Sequence, residues 1–120
     1  MPRWFTPKEF ACRCGRCGLG IERMDPDLLE RLDHLRDLVG GPLVVNSAIR
    51  CPAHNAAVGG SPTSSHLNGH AVDIAVPGVA QRYNLLSAAL SQGFQRVGIG
   101  KGFLHLDNDP GKPWGVVWLY

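Results

Sequence analysis

"SSHLNGHAVDI" (Ser64–Ile74) places two histidines and an aspartate in a run of small residues that leads into a strand. Successive side chains of a strand point to opposite faces, so the β-branched residues of this strand can face a core while Asp73 faces away from it. Alanines two positions before and after Asp73 leave open space around its carboxylate, which suits the floor of a cleft. Gly69 lets the preceding loop fold back, so that His66 can reach Asp73.

A second stretch, "FLHLDND" (Phe103–Asp109), repeats this arrangement. If Leu104 and Leu106 face the core, His105 and Asp107 project together from the opposite side. A lone histidine or aspartate at a strand end is commonly a turn or cap residue. Two strands that each present such side chains on one face instead predict a shared site. Two histidines and a carboxylate, with a fourth position left for water, are the ligand set of a catalytic zinc site.

The remaining patterns predict an α+β fold, a single small domain with a mainly antiparallel sheet flanked by helices. Asp25 as N-cap, Pro26 at the first helical position and the Gly40-Gly41 stop define one helix. The other predicted elements are helices at 52–58 and 79–92, a strand at 43–48, a strand at 71–76, and short strands in "FQRVGIG", "GFLHLDN" and "WGVVWLY". The residues predicted to face the core from the two longer helices are Leu28, Leu29, Leu32, Leu35, Leu38 and Val39, and Leu85, Leu86, Ala89 and Leu90.

Composition excludes several classes of protein. A net charge of +2 over 120 residues is too small to indicate nucleic-acid binding, even with Arg13 and Arg16 among cysteines. No apolar run approaches the roughly 18 residues of a membrane span. The opening "MPRWFTPKEF" contains no apolar signal core. We therefore expect synthesis in the cytoplasm, with delivery by another system if the substrate lies outside, and a monomer by default.

The motif Ser64-x-His66-x-x-Gly69-x-Ala71-x-Asp73 resembles the signature of the zinc D-Ala-D-Ala carboxypeptidases and their relatives. That superfamily includes vancomycin-resistance dipeptidases, phage L-alanyl-D-glutamate endopeptidases and the zinc-binding signalling domain of hedgehog proteins. "VNSAIRCPAHNAAVGG" resembles the family's "SGYR" strand and following loop, and "FLHLDNDPGKPW" resembles its closing His-x-Asp element. The resemblance covers Glu9 to Trp114 and implies one zinc peptidase domain over residues 1–120 with the hedgehog/DD-peptidase-like fold.

The resemblance also implies roles for the site residues. His66 and Asp73 would be the first two zinc ligands and His105 the third, while Asp107 would take a proton from the zinc-bound water. Relatives that close with His-x-His leave an alternative, in which Asp107 binds the metal and His105 does the proton work. We favour His105 as ligand, because imidazole binds zinc well and a free carboxylate is the better base near a cation.

The resemblance further places a substrate-binding arginine at Arg50, whose fork could hold a peptide's terminal carboxylate through two hydrogen bonds. Ser64 would orient His66 or contact the substrate. The family's Gly-Tyr before this arginine is Ala48-Ile49 here. This departure removes an aromatic hydroxyl and leaves the choice of substrate open.

Four cysteines form a separate group: Cys12, Cys14, Cys17 and Cys51. They could bind a structural zinc, form one or two disulfides, or stay as free thiols. Either bonded arrangement would tether the N-terminal segment, residues 1–20, next to Arg50. A nucleophilic cysteine is not expected, because none has an obvious partner histidine.

The sequence therefore predicts a zinc-dependent peptidase that cleaves peptidoglycan stem peptides with zinc-activated water, and we favour a D-Ala-D-Ala carboxypeptidase. One alternative is an L-Ala-D-Glu or cross-link endopeptidase of a phage lysis system. Another is a non-catalytic zinc-containing binding module of the same fold. The sequence contains no His-Glu-x-x-His motif, which excludes a thermolysin-type site.

Overall fold

A five-stranded sheet organises residues 3–120, which the computed structural model describes; Met1 and Pro2 of the predicted N-terminal segment lie outside the described residues. The strands follow the order β1-β2-β4-β3-β5, and every neighbouring pair is antiparallel except β3 with β5. The strands are β1 (Val45–Ser47), β2 (Ala71–Ala75), β3 (Arg96–Ile99), β4 (Phe103–Asp107) and β5 (Val116–Leu119), and the helices are α1 (Pro26–Val39), α2 (Pro52–Ala57) and α3 (Val79–Ser91). The predicted α+β fold with a mainly antiparallel sheet is confirmed.

The predicted ends of α1 are also confirmed. The Asp25 carboxylate accepts a hydrogen bond from the Leu28 amide at 3.1 Å, and Gly40 ends the helix in the left-handed conformation. Buried leucines of α1 and α3 pack with the core face of the sheet. None of the described helices combines the length and the apolar character that crossing a membrane would require.

Two predicted core residues are wrong, Leu38 in α1 and Leu90 in α3, and each is about half exposed. At 100° per residue, Leu38 lies about 80° around the helix from Leu28. Leu90 lies about 140° from Leu85 in the same way. The buried stripes are therefore narrower than the leucine spacing indicated. Strand β1 is also shorter than the predicted 43–48, and its pairing with β2 is irregular between Val45 and Ser47.

The register between β2 and β4 determines which face each site residue occupies. Asp73 pairs with His105, and Ala71 pairs with Asp107. The alternate positions on these two strands are fully buried in the core, as predicted: Val72, Ile74, Leu104 and Leu106. Because the apolar side chains of both strands pack into the core on one side of the sheet, the polar side chains lie together on the other side.

The loop before β2 depends on Gly69. The 3-10 turn Ser65–Asn68 ends at this glycine, whose φ of +78° lies in the left-handed region. Its carbonyl accepts a hydrogen bond from the Asp25 amide at 2.9 Å. A Cβ at this position would overlap the Arg23 carbonyl oxygen. Gly69 thus allows the loop that contains His66 to pack closely against the start of α1.

We predict that Gly69→Ala destabilises the protein more than Gly40→Ala. Both glycines have similar positive φ values, but a Cβ at Gly40 would meet no atom within 4 Å. Gly40→Ala should therefore cost only the left-handed strain, about 1–2 kcal/mol. Urea denaturation of both variants measures the free energies of unfolding under identical conditions. Equal losses would show that the close approach to Arg23 contributes nothing.

Candidate metal centre

Three predicted zinc ligands converge on the polar face of the sheet. The Nε2 atom of His66 lies 3.2 Å from Oδ1 of Asp73, and Nδ1 of His105 lies 3.0 Å from the same oxygen. These potential ligand atoms all lie within 4.8 Å of one another. All three residues are buried. The structure therefore brings together two imidazole nitrogens and one carboxylate oxygen, the donor set that a catalytic zinc site uses.

The second nitrogen of each histidine is held by a hydrogen bond. His66 Nδ1 donates to the carbonyl oxygen of Ala48 at 2.7 Å, and His105 Nε2 donates to Oδ2 of Asp107 at 2.7 Å. Histidines that bind metals typically donate their other ring N–H to a carbonyl or a carboxylate in this way, which fixes the tautomer and the ring orientation. These contacts leave His66 Nε2 and His105 Nδ1 for a metal. The residues present therefore fit zinc.

The electrostatics of the site keep Asp73 ionised. Burial alone would raise the pKa of this carboxyl, but its hydrogen bonds with His105 and His66 lower that pKa far below the ordinary range. Burial alone would likewise lower the pKa of His105, yet its contacts with Asp107 and Asp73 raise it above the ordinary value. A ligand histidine must be neutral, so a metal at this centre competes with the protonated form of His105 that these two carboxylates favour.

Asp107 does not have the environment that the sequence analysis expected. Its Oδ1 accepts hydrogen bonds from Arg96 Nε at 2.6 Å and from the Asp109 amide at 3.1 Å, while Oδ2 accepts from His105. The side chain is 0 % exposed. The carboxylate that was expected to be free is therefore engaged at both oxygens, although Asp107 lines the same cleft as the three ligands, and its role as proton acceptor stays a prediction. The converging ligand atom comes from His105, which favours the ligand assignment made from the sequence over its alternative.

Arg50 lies beside the ligand group but is already partly engaged. Its Nη2 donates to Oδ2 of Asp73 at 3.3 Å, Nε to Ser47 at 3.1 Å, and Nη1 to Asn55 at 3.2 Å. These contacts use three of the five N–H groups of the guanidinium, and the rest are available to a ligand. Asn55 is buried and helps to fix this arginine.

Ser64 contacts the histidine segment rather than a metal-binding atom. Its hydroxyl oxygen accepts a hydrogen bond from the His66 amide at 3.2 Å and caps the 3-10 turn. Ser64 also lines the cleft, so both predicted roles remain compatible with its position. Ile49, where the family has tyrosine, is buried in the hydrophobic core, while the side chain of Tyr120 lines the cleft.

A cleft of about 430 Å³ opens over the three ligands. Trp118 and Tyr120 form one wall, with the Trp118 and His105 rings 5.4 Å apart between centroids. The Trp118 indole lies against Gly98 of the neighbouring strand, where a Cβ would clash with it. Neither of these aromatic residues nor Arg96 was predicted from the sequence to belong to the site. The two-residue spacing of Trp118 and Tyr120 is a signal that they share one face of β5.

A family model described as Peptidase M15 matches residues 3–107. The chain belongs to the peptidase M15 family. M15 peptidases are zinc-dependent, and the match includes all three converging ligand residues. No curated protein matches the chain. The family resemblance seen in the sequence is thus confirmed at the level of a zinc peptidase, and the D-Ala-D-Ala carboxypeptidase subtype stays a prediction.

The four cysteines of this M15 peptidase form a second group of metal-type side chains. The sulfur atoms of Cys12, Cys14, Cys17 and Cys51 lie within 4.8 Å of one another, and no disulfide joins any of the four. The N-terminal segment therefore meets the residue that follows Arg50, as any bonded arrangement of these cysteines requires.

We predict that His66→Ala and Asp73→Ala each remove one zinc equivalent per chain. Loss of a residue that only orients a ligand typically weakens zinc binding by roughly 10–100-fold. Loss of a direct ligand should weaken zinc binding by more than that. Zinc content and competition with a chromogenic chelator measure this effect. His34→Ala is the matched control, because His34 is exposed on α1. Wild-type zinc content and affinity in both site variants would contradict the assignment.

Proposed function

We propose that this M15 peptidase cleaves peptidoglycan stem peptides at the cell wall as a D-Ala-D-Ala carboxypeptidase. The observation that supports this most directly is the position of Arg50 in the same cleft as the three candidate ligands. A carboxypeptidase needs a group that binds the terminal carboxylate next to the scissile bond. An arginine with N–H groups still available, held in place by Ser47 and Asn55, meets that need.

In this proposal His66, Asp73 and His105 hold the zinc. Zinc in such a site supplies a nucleophile from water at neutral pH and polarises the carbonyl that is attacked. Arg50 binds the substrate carboxylate and also holds the second oxygen of Asp73, so that substrate position and ligand position are fixed by one side chain. Trp118 and Tyr120 restrict the other side of the cleft and limit the access of bulk water to the bound peptide.

We further propose that Asp107 is a positioning residue for His105 and not the proton acceptor expected from the sequence. Its side chain has no exposed surface, and Arg96 and His105 occupy its two oxygens. A carboxylate that receives a proton from water needs a free acceptor position, and both oxygens of Asp107 already accept hydrogen bonds from Arg96, His105 and the Asp109 amide. The same contacts are suited to holding the imidazole in the tautomer that directs Nδ1 to the metal.

We predict that Asp107→Asn lowers the zinc affinity of the peptidase centre roughly 10–100-fold, and that saturating zinc restores much of the activity. Chelator competition and turnover at rising zinc concentration measure the two effects. Asp109→Asn is the matched control, because Asp109 is a buried carboxylate that accepts from Ser65 and Gly111 and does not contact His105. Unchanged zinc affinity with turnover abolished at saturating zinc would instead identify Asp107 as the base.

The test of the function is digestion of purified peptidoglycan with and without a chelator, followed by mass spectrometry of the products. We expect release of a single D-alanine, and we expect the chelator and His66→Ala to stop it. A chelator-sensitive cut at the L-Ala-D-Glu bond or at a cross-link would keep the chemistry and replace the substrate assignment. No product from protein that contains the peptidase-site zinc would support the non-catalytic binding module.

A defined substrate pair tests the role of Arg50. A stem peptide that ends in D-Ala-D-Ala is compared with the same peptide bearing a C-terminal amide. The amide should lower kcat/KM by roughly 10–100-fold, because hydrogen bonds to charged groups contribute about 1.5–3 kcal/mol. Equal cleavage of both peptides would exclude recognition of the terminal carboxylate and favour an endopeptidase.

A further inference from the structure

The four cysteines lie apart from the peptidase centre and have no part in the mechanism above. Three belong to one N-terminal loop, and Cys51 approaches them from the N-cap of α2. All four sulfur atoms lie within 4.8 Å of one another, so they converge on one point rather than forming two separate pairs. Zinc–sulfur bonds of about 2.3 Å place the sulfurs of a tetrahedral site about 3.8 Å apart. Small side-chain adjustments are enough to reach that geometry.

We propose that Cys12, Cys14, Cys17 and Cys51 bind a structural zinc ion as four thiolates. A set of four cysteines is a closed tetrahedral site with no position for water or substrate, as structural zinc sites are. Cys12 and Cys51 are buried while Cys17 is exposed. The ion would therefore lie just below the surface, between the N-terminal loop and the start of α2.

Backbone amides around the cluster support thiolate ligands. Every sulfur accepts at least one N–H group at 3.3–3.4 Å; the donors are the amides of Arg16 and Cys17 to Cys14, Leu19 to Cys17, Cys51 to Cys12, and His54 to Cys51. Neutral thiol sulfur is a weak acceptor, whereas a metal-bound thiolate is anionic and gains from such donors. The loop thus has the hydrogen bonding that a zinc–thiolate centre requires.

The charges of the loop point to the same conclusion. Four thiolates and one Zn²⁺ leave a net charge of −2, and residues 11–20 contain two arginines and no acidic residue. Arg13 donates to the carbonyl oxygens of Ala11, Glu9 and Val45 at 2.6–2.9 Å. Its guanidinium therefore fixes the loop against β1, and the charged side chains of the loop itself are both positive.

The proposed zinc would act on the peptidase centre through residues 48–51. The Ala48 carbonyl orients His66, Arg50 holds Asp73, and Cys51 follows directly. A metal that binds both Cys51 and the N-terminal loop would immobilise residues 48–51 at their C-terminal end. Its role would be to position the substrate-binding side of the cleft rather than to take part in the reaction.

The test is the zinc content of protein isolated under reducing conditions without a chelator. We expect His66→Ala to lose one zinc equivalent, Cys17→Ser to lose a different one, and the double variant to lose both. Cys17 is chosen because its exposure makes substitution tolerable for folding. Cys17→His is the matched control and should retain the second zinc, since histidine replaces one cysteine in many structural sites.

Cobalt supplies a readout that is independent of activity. In the His66→Ala background, Co²⁺ should give the near-ultraviolet charge-transfer absorption of thiolate ligands, and Cys17→Ser should abolish it. Absence of that absorption, or a zinc content that only His66→Ala reduces, would overturn the proposal. Disulfides in protein isolated without a reductant, detected as a loss of two hydrogens per bond in the intact mass, would overturn it as well. None of these outcomes depends on whether the protein cleaves peptidoglycan.

Discussion

The pairing of Asp73 with His105 across β2 and β4 is the interaction on which the rest of the structure depends. Side chains alternate along both strands, so a slip of one residue would turn the ligands into the core and the leucines toward the cleft. The fully buried Val72 and Leu106, also a direct pair, oppose such a slip. The apolar face of the sheet therefore sets the geometry of the polar face, and the metal centre is a consequence of correct core packing.

The ionisable groups at this centre can be buried because each has a hydrogen-bonding or charged partner from another part of the chain. Ala48 accepts from one histidine, Asp107 from the other, and Arg50 neutralises Asp73. Asp107 in turn pairs with Arg96. Removing one member of a buried pair costs about 3–5 kcal/mol because the other charge is left uncompensated. Ligand orientation and fold stability therefore rest on the same contacts, and a change at an outer partner affects both.

Much of the fold and of the metal centre could be predicted from short-range patterns in the sequence. The ends of α1 follow from residues next to one another, and the shared face of His66, Asp73 and His105 follows from alternation along each strand together with the motif. The engagement of Asp107 could not be predicted in this way, because its partner Arg96 comes from β3 and the strand order is a property of the whole chain. The same applies to Trp118, which reaches His105 only because β5 lies parallel to β3.

The cysteine cluster lies where the fold has the least regular structure. Strand β1 has three residues and an irregular register. The N-terminal segment beside it has one short 3-10 turn, Pro7–Phe10, and a second, Ile21–Arg23, follows the segment. Few backbone ladder bonds hold these pieces together, yet the segment that orients His66 begins directly after β1. Because a metal site does not exist in the unfolded chain, the free energy of metal binding contributes to folding. A zinc ion at the cysteines would therefore add stability at the point where the sheet supplies least, next to the residues that must be held most rigidly.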